Sequence, residues 1–213
     1  MPRTPANVVE KRPAEIIDGC KRLYKEKSFR EITLKDISVE TSLSRPSIYN
    51  YFQTKEEIFL AILEDEYSKW CKTLERSFSV NSMTVCEFAE AIAASLRPRE
   101  LLLKILCMNL YDIEENSREE CLIAFKRQYK VSLDLIEAAL AEFFPSLTEK
   151  EKKSFIFQFY PFMYGIYPYV HPTEKQKKAM KEAGMESYKT SVYDLSRSFV
   201  SSLLSGILRS HNK

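Results

Sequence analysis

Glycine and histidine are both scarce in this sequence, and each scarcity excludes a class of site. The 213 residues include 4 glycines and 2 histidines. No two glycines lie close enough to form a G-x-G-x-x-G motif or a P-loop, so phosphate sites of these kinds are excluded. With only His171 and His211, a metal site built on several histidines is excluded and histidine-based catalysis is disfavoured. Low glycine content also favours long helices over turn-rich β folds.

A strong net charge, a disulfide pattern and a signal peptide are also lacking. The 32 Lys+Arg residues against 30 Asp+Glu residues leave a net charge of +2, so the chain as a whole is not a polycation. An odd number of cysteines without a C-x-x-C pair is typical of reduced thiols and predicts a cytoplasmic protein. These cysteines are Cys20, Cys71, Cys86, Cys107 and Cys121. The N-terminal residues include no apolar segment of the kind that a signal peptide needs.

One uncharged stretch, residues 154–173, has to be compared with a membrane span. It contains no Lys, Arg, Asp or Glu, but it is interrupted by three prolines, one glycine and four tyrosines. A spanning helix needs about 20 mostly apolar residues without such interruptions. We therefore predict a buried, kinked helix in this region and no membrane contact for the chain.

The spacing of apolar residues predicts an all-α protein. Apolar side chains recur at helical intervals, as in the stripe formed by Ile16, Cys20, Leu23 and Tyr24, and no alternating run has the length of a strand. The longer helices are predicted at residues 8–27, 55–80, 84–96, 99–115, 117–144, 148–171 and 187–209. The breaks between them include Pro98, Pro145 and a loop over residues 172–184.

Two short helices are predicted after the first long one. The segment Thr33-Leu34-Lys35-Asp36 has the form of a capping box, so Thr33 begins a helix that ends near Glu40. Ser44 begins the second, Arg45 to Phe52, with a proline in its first turn, where a missing N–H costs nothing. The inward side chains of the pair are Ile37, Leu43, Ile48 and Phe52. Two short helices joined by a tight turn are typical of a helix-turn-helix motif.

The segment from Ile16 to Leu63 resembles the DNA-binding domain of TetR-family transcriptional regulators. The matching features are Glu26-Lys27-x-Phe29, Thr33-Leu34-Lys35-Asp36-Ile37, Leu43-Ser44, Ile48-Tyr49-x-Tyr51-Phe52 and Lys55-Glu56-Glu57-Ile58-Phe59. The sequence departs from the common pattern at Ser38, where alanine is usual, and at Asn50, where a bulky residue is frequent. The resemblance implies a homodimer that binds a palindromic DNA operator and releases it when a small molecule enters the C-terminal domain.

Two domains are therefore predicted. Residues 8–54 are expected to form a three-helix DNA-binding domain with its helix-turn-helix motif at 33–52. Residues 55–80 are expected to form a connecting helix, and residues 81–213 a larger helical domain for ligand binding and dimerisation. The charge distribution agrees, because residues 1–52 hold 10 Lys+Arg and 7 Asp+Glu, whereas the remainder holds 22 and 23. The positive excess lies where phosphate binding is expected.

A recognition helix enters the major groove with its N-terminal end, which here begins at Arg45. Arg45 can reach a guanine edge or a phosphate, and Asn50 can bond an adenine or face the DNA backbone. Pro46 and Ser47 can contact base edges or a thymine methyl group. Alternatively, Arg45 is a charged side chain that faces solvent and makes no DNA contact.

The remaining predicted DNA contacts are to phosphates. The resemblance implies this role for Tyr49, Tyr51 and Lys55, with aromatic packing as the alternative for the two tyrosines. Thr33 and Ser44 lie at helix N-termini, whose N–H groups suit phosphate oxygens.

Aromatic side chains concentrate from residue 143 onward, and over residues 155–169 they cover more than one face of the predicted helix at 148–171. A helix that is apolar nearly all round is buried on several sides, against its own core, a partner subunit or a ligand. Pro161 and Pro168 are expected to kink this helix and open room beside it. A pocket for a mostly apolar or aromatic ligand is predicted. Its lining residues are Met108, Tyr111, Phe125, Tyr129, Phe159, Phe162, Met163 and Tyr167, each with core or dimer packing as the alternative.

The last predicted helix suits a dimer interface. Its apolar residues at near-heptad spacing are Tyr188, Val192, Leu195, Phe199, Leu203 and Ile207, and with the 148–171 helix they predict a four-helix contact across a two-fold axis. No catalytic, metal or cofactor site is visible, so an enzyme is not expected. The predicted function is a transcriptional repressor released from DNA by a small-molecule effector. The alternative is a TetR-type activator or an architectural DNA-binding protein without an inducer.

Overall fold

The computed structural model describes residues 6–185 and 189–209, with side chains described from residue 12 onward. Within these ranges every regular element is a helix, which confirms the all-α prediction. The helices are α1 (Ala6–Glu26), α2 (Leu34–Val39), α3 (Arg45–Ile48), α4 (Lys55–Phe78), α5 (Val85–Leu96), α6 (Glu100–Glu115), α7 (Glu119–Phe143), α8 (Glu149–Gly165), α9 (Tyr167–Val170), α10 (Glu174–Glu182) and α11 (Val192–Arg209).

The helices form two compact units. Of the described residues, the first unit comprises 6–65 and 109–128, and the second comprises 66–108, 129–185 and 189–209. The chain passes from one unit to the other within α4, α6 and α7. The unit that holds the predicted helix-turn-helix motif therefore also holds a segment from much later in the sequence.

Side-chain caps begin most of the shorter helices. The hydroxyl of Thr33 accepts the N–H of Asp36, and the Asp36 carboxylate accepts the N–H of Thr33, which confirms the predicted capping box. The same reciprocal arrangement begins α5 at Thr84, α8 at Thr148 and α10 at Thr173. Ser44 caps α3, whose first turn contains a proline, as predicted.

Three helices differ from the predicted spans, and backbone hydrogen bonding explains two of the differences. Helix α3 ends at Ile48 rather than Phe52, because the next residues turn tightly and the N–H groups of Tyr51 and Phe52 both donate to the Ile48 carbonyl. The predicted helix 148–171 is divided into α8 and α9. Pro168 lacks an N–H and lies in the first turn of α9, where that loss is tolerated. Helix α11 begins at Val192, and Tyr188 lies outside the described residues.

Helix α10 occupies part of the region predicted to be a loop. None of its residues is buried, and four of its nine residues are lysines. Helix α10 therefore lacks the apolar stripe by which the longer helices are predicted from the sequence. The available signal was the capping box of Thr173 and Gln176, in which each residue bonds the backbone of the other.

The core of the first unit contains the side chains predicted to face inward. All of the predicted inward positions of α1 and of the helix-turn-helix motif are buried: Ile16, Cys20, Leu23, Tyr24, Ile37, Leu43, Ile48 and Phe52. Phe59 of α4 packs edge-on against Tyr24 and Phe29, with ring centroids 5.0 and 4.8 Å away. The three helices and the start of α4 therefore share one hydrophobic core.

The second unit is organised around buried aromatic residues and α11. Trp70 and Phe88 are fully buried, and the indole N–H of Trp70 donates to the Ser95 hydroxyl at 2.9 Å. Helix α11 packs against α5 and α8 through one buried stripe that consists of Val192, Ser196, Val200 and Leu204. Among the described residues, no helix has both the length and the apolar character that a membrane span requires.

Gly19 of α1 lies close to Thr41 in the turn of the helix-turn-helix motif. A Cβ atom at this position would lie 2.8 Å from Cγ2 of Thr41. We expect Gly19→Ala to destabilise the first unit by about 1–3 kcal/mol, because a short β-branched side chain has little freedom to move aside. Chemical denaturation of the full chain measures this cost.

The double variant Gly19→Ala/Thr41→Ser supplies the control. Serine lacks the Cγ2 methyl group but keeps the hydroxyl that donates to the Ile37 carbonyl. We expect it to restore most of the lost stability. Equal destabilisation of the single and double variants would show that this methyl group is not the obstacle.

Candidate nucleic-acid interface

The recognition helix α3 presents a polar surface over a buried apolar anchor. Arg45 and Pro46 are exposed at its N-terminal end, Ser47 is half-buried, and Ile48 is fully buried. The hydroxyls of Ser44 and Ser47 lie 2.9 Å apart, and the Ser47 N–H donates to Ser44 Oγ at 3.4 Å. The cap satisfies the first turn of this helix, and the buried anchor leaves its polar side exposed.

Arg45 is held in place by Tyr49, one helical turn further on. Its Nη2 donates to the Tyr49 hydroxyl at 3.0 Å, and the guanidinium carbon lies 5.6 Å from the centre of the Tyr49 ring. Both side chains are exposed. Sequence reasoning assigned them separate contacts with DNA, whereas here they form one surface feature. The tyrosine restricts the orientations that the arginine side chain adopts.

Lys55, at the start of α4, is engaged within the protein. Its ammonium donates to the Phe29 carbonyl at 2.7 Å and lies 4.3 Å from the centre of the Phe29 ring. It thereby fastens the start of α4 to the loop between α1 and α2. Asn50 is exposed and Tyr51 is half-buried, without a side-chain hydrogen bond described for either.

The N-terminus of α2 is stabilised by its own polar groups. The Asp36 carboxylate accepts three hydrogen bonds: from the Thr33 N–H at 2.9 Å, from the Thr33 hydroxyl at 2.5 Å and from the Lys27 ammonium at 3.0 Å. These bonds, the Thr33 hydroxyl first among them, lower the pKa of Asp36 to about 2. The predicted DNA-contact residue Thr33 therefore has a clear role in capping.

Two polar contacts hold the turn of the motif against α1, and sequence reasoning found neither. Glu15 accepts the N–H of Ser42 at 2.5 Å, and the bonds from Ser42 lower the pKa of the Glu15 carboxyl. Arg22 donates through Nη2 to the Glu40 carbonyl at 2.6 Å. Both pairs join residues 18 or more positions apart, so no local sequence pattern identifies them.

A buried carboxylate, Glu57, lies behind the loop that follows the recognition helix. Its side chain is 0% exposed and accepts Arg118 Nε at 2.6 Å, Arg118 Nη2 at 3.0 Å and the N–H of Gln53 at 2.7 Å. Burial raises the pKa of Glu57, but the hydrogen bonds from Arg118 and Gln53 outweigh it, so the pKa lies below its ordinary value. The carboxylate is therefore ionised at neutral pH.

The eight residues predicted to line a ligand pocket are divided between the two units. Tyr111 and Phe125 belong to the first unit and the other six to the second. Met108 is 59% exposed and Tyr111 is 81% exposed, because the opposite face of α6 is the buried one. Phe125, Phe159 and Met163 are buried in their units.

Two cavities are described, and none of the eight predicted residues lines either of them. A cavity of about 230 Å³ in the second unit is lined by Cys86, Ala89, Arg197, Ser198, Ser201 and Ser202. A cavity of about 200 Å³ in the first unit is lined by Phe52, Leu60, Ala61, Glu64, Glu120, Cys121 and Ala124. The predicted pocket thus has no counterpart in these two spaces.

The second unit instead contains a cluster of tyrosines that bond one another. Tyr67 and Tyr164 hydroxyls lie 3.3 Å apart, and Tyr160 lies 2.8 Å from the Ser132 hydroxyl. The Tyr129 ring packs edge-on against Tyr67 and Tyr160. Burial raises the pKa of Tyr67 and Tyr160 well above the ordinary value. The hydroxyls of Tyr67, Tyr160 and Tyr164 therefore have partners within the protein.

These features define a helical DNA-binding protein with a helix-turn-helix unit. The family described as "Bacterial regulatory proteins, tetR family" matches residues 16–62. The family described as "Tetracyclin repressor-like, C-terminal domain" matches residues 64–211. The chain therefore belongs to the TetR family, as the sequence resemblance implied, and the members of this family are DNA-binding transcriptional regulators rather than enzymes.

Curated relatives match part of the chain. The uncharacterized HTH-type transcriptional regulator YfiR of Bacillus subtilis is 31% identical over 90 residues, which are 41% of this chain and 44% of YfiR. The HTH-type transcriptional repressor AcnR of Corynebacterium efficiens is 28% identical over 69 residues, or 32% of this chain and 37% of AcnR. The chain thus aligns with less than half the length of these two relatives.

Solved structures match nearly the whole fold. The fatty acid degradation regulator FadR from Bacillus halodurans has a TM-score of 0.61 at 15% identity. The match covers 97% of this chain and 98% of the FadR chain. FadR from Bacillus subtilis in complex with stearoyl-CoA has a TM-score of 0.63 at 16% identity, with 91% of this chain and 98% of that chain covered. At these identities the similarity is one of fold.

Proposed function

We propose that the chain is a homodimeric, cytoplasmic repressor that binds a palindromic operator and is released from it by a small, mostly apolar or aromatic ligand. The observation that carries the DNA-binding part is the pre-ordered pair of Arg45 and Tyr49 on the exposed end of α3. A guanidinium held at the N-terminal end of a recognition helix suits bidentate bonding to guanine or contact with a phosphate.

The other proposed DNA contacts surround this pair. Pro46, Ser47 and Asn50 are assigned to base edges, because they share the short recognition segment with Arg45. Thr33, Ser44, Tyr51 and Lys55 are assigned to the DNA backbone. Lys55 is the weakest of these assignments, since its ammonium already has an acceptor in Phe29.

An exposed aromatic face in the second unit supports the proposed dimer. Phe157 on α8 is 78% exposed, and Phe162 of α8 stacks on Phe199 of α11 with ring centroids 4.0 Å apart. The buried stripe of α11 faces its own unit, whereas Leu195 and Leu203 remain partly exposed beside Phe199. A two-fold contact of α8 and α11 with the same helices of a second copy would bury this face.

The proposed release mechanism is geometric. Operator half-sites have a fixed separation, so a change of a few Å between two recognition helices prevents both from docking together. Helix α4 begins three residues after Phe52 and continues into the second unit, which makes it the proposed route from the ligand to the recognition helix.

A regulator without an inducer is the second candidate, and the packing of the second unit favours it. The Tyr160 ring packs against the rings of Tyr129 and Phe159, whose centroids lie 5.3 and 5.5 Å away. Thermal shift of the full chain against apolar and aromatic compounds, with stearoyl-CoA as one probe, separates the candidates. Saturable stabilisation together with loss of DNA binding supports the ligand-released repressor, and stabilisation by no compound supports the alternative.

Gel shift with the DNA upstream of the chain's own coding region tests operator binding. We expect one discrete complex whose affinity falls as salt rises, and a dimeric mass by light scattering. A monomer in solution, or no complex at any salt concentration in the series, would contradict the proposal.

A further inference from the structure

The loop that follows the recognition helix is hydrogen-bonded to the corner between α6 and α7, about 60 residues later in the chain. Residues 53–54 are the end of the segment that joins α3 to α4, and the Thr54 hydroxyl donates to the Asn116 carbonyl at 3.2 Å. The same hydroxyl oxygen accepts the N–H of Glu57 at 3.2 Å. The corner between α6 and α7 therefore touches the loop directly, and both belong to the first unit.

Arg118 makes the second and stronger contact at this corner. Its Nε and Nη2 donate to the two oxygens of Glu57, one to each, which is the parallel two-bond geometry of arginine with a carboxylate. The oxygen that accepts Nη2 also accepts the N–H of Gln53. One buried carboxylate thus connects the guanidinium of Arg118 to the backbone that immediately follows Phe52.

A cavity lies beside Phe52, the residue directly before this loop. The cavity of about 200 Å³ in the first unit is lined by Phe52, by Leu60, Ala61 and Glu64 of α4, and by residues of the first turns of α7. Side chains that fill a space fix the position of a neighbouring loop, whereas an open space does not. Next to this cavity, the hydrogen bonds of Glu57, Arg118 and Asn116 hold residues 53–54 against the corner between α6 and α7.

We propose that Arg118 is a positioning residue for DNA recognition, which fixes the orientation of the recognition helix through Glu57 and the loop at residues 53–54. Arg118 lies 66 residues beyond Phe52, in the part of the chain that matches the C-terminal family rather than the DNA-binding one. The inference rests on the proposed operator binding and adds a residue to the unit that performs it.

Without this contact the recognition helix samples more orientations, and DNA binds only the fraction that is correctly placed. We expect Arg118→Gln to weaken operator binding at least about fivefold, the lower end of common coupling effects. Arg118→Lys keeps the charge but not the two-bond geometry, so an intermediate loss is expected. Glu57→Gln is expected to weaken binding as Arg118→Gln does.

Glu120→Gln is the matched control. Glu120 also pairs with Arg118, through Nη1 at 3.1 Å, but its side chain is 69% exposed, so the variant removes an ion pair from the same arginine without touching Glu57. We expect operator binding by this variant to be unchanged, because an exposed pair contributes little.

Fluorescence anisotropy over a salt series measures the affinity of each full-length variant for an operator fragment. The fragment is the one that the wild-type protein selects from a random DNA library. Positioning predicts a lower affinity with an unchanged slope of log K against log salt. A slope smaller by about 0.9 would mean a lost phosphate contact and would overturn the proposal. Unchanged or tighter binding by both Arg118→Gln and Glu57→Gln would also overturn it.

Hydrogen exchange of the free proteins tests the positioning without DNA. We expect faster exchange at residues 45–54 in Arg118→Gln and Glu57→Gln, with the wild-type rate in Glu120→Gln. Unchanged exchange in both of the first two variants would refute the positioning role. Wild-type protein that selects no DNA would instead refute the proposed operator binding. If circular dichroism shows Arg118→Gln to be unfolded, Arg118→Lys and Glu57→Gln decide the question by the same two measurements.

Discussion

Replacing Arg45 with alanine is expected to weaken specific operator binding by about 1–3 kcal/mol, which is the usual cost of losing an arginine contact with a guanine edge. The expectation rests on the exposed position of Arg45 at the start of α3 and on its bond to Tyr49. Fluorescence anisotropy at fixed salt, with the selected operator and with a scrambled fragment, measures the loss of specificity as well as of affinity.

Two further variants make the Arg45 result interpretable. Tyr49→Phe removes the hydroxyl acceptor but keeps the ring, and we expect a smaller loss of about 0.5–1.5 kcal/mol. Arg97→Ala, which removes an exposed arginine at the end of α5 in the second unit, is the charge-matched control and is expected to bind normally. Equal affinities for wild type and Arg45→Ala, on operator and scrambled DNA alike, would remove Arg45 from the DNA-binding surface.

Two phenylalanines on α8 are expected to respond very differently to truncation. Phe159 is fully buried, and Phe159→Ala is expected to destabilise the second unit by about 3–5 kcal/mol, because it leaves a cavity among packed aromatic rings. Phe157 lies two residues earlier and is 78% exposed. Thermal unfolding at several protein concentrations compares the two variants.

The concentration dependence separates core packing from the proposed dimer contact. Phe159→Ala is expected to lower stability at every concentration. Phe157→Ala is expected to reduce the free energy of dimerisation by more than about 1 kcal/mol, as measured by sedimentation equilibrium. In thermal unfolding, its loss of stability is expected to be largest at the protein concentrations where the wild type is dimeric and the variant is not. A dimer of unchanged affinity would show that Phe157 lies outside the interface.

Local rules predicted much of the first unit. Thr33 and Ser44 supply the helix caps that the sequence indicated, and the inward side chains from Ile16 to Phe52 are buried as their spacing requires. These features depend on residues within about four positions of one another, so a sequence pattern contains the information that determines them.

The sequence did not reveal the contacts that join distant segments. Glu57 and Arg118 are 61 residues apart, and nothing in either local pattern distinguishes this glutamate from its neighbour Glu56 or this arginine from other surface cations. The tyrosine cluster of the second unit has the same origin, since Tyr67 and Tyr164 meet across 97 residues. The aromatic density was visible, but which hydroxyls bond one another depends on tertiary packing.

The side-chain directions on α6 were also beyond the sequence pattern. Met108 and Tyr111 are apolar or aromatic residues in an apolar helix, so both were expected to face inward. The buried face of α6 instead carries Leu102, Leu103 and Ile105. A helix with apolar residues on more than one side leaves the choice of buried face to its neighbours.

We propose that two copies of this chain read two related DNA half-sites through the Arg45 end of α3. Selection from a random DNA library by full-length protein, sequenced after several rounds, tests it most directly. We expect an inverted repeat whose half-sites are centred about 34–36 Å apart or at a multiple of that distance, and we expect it to be lost when Arg45→Ala replaces the wild type. Enrichment of a single asymmetric site, or the same inverted repeat selected by Arg45→Ala, would contradict it.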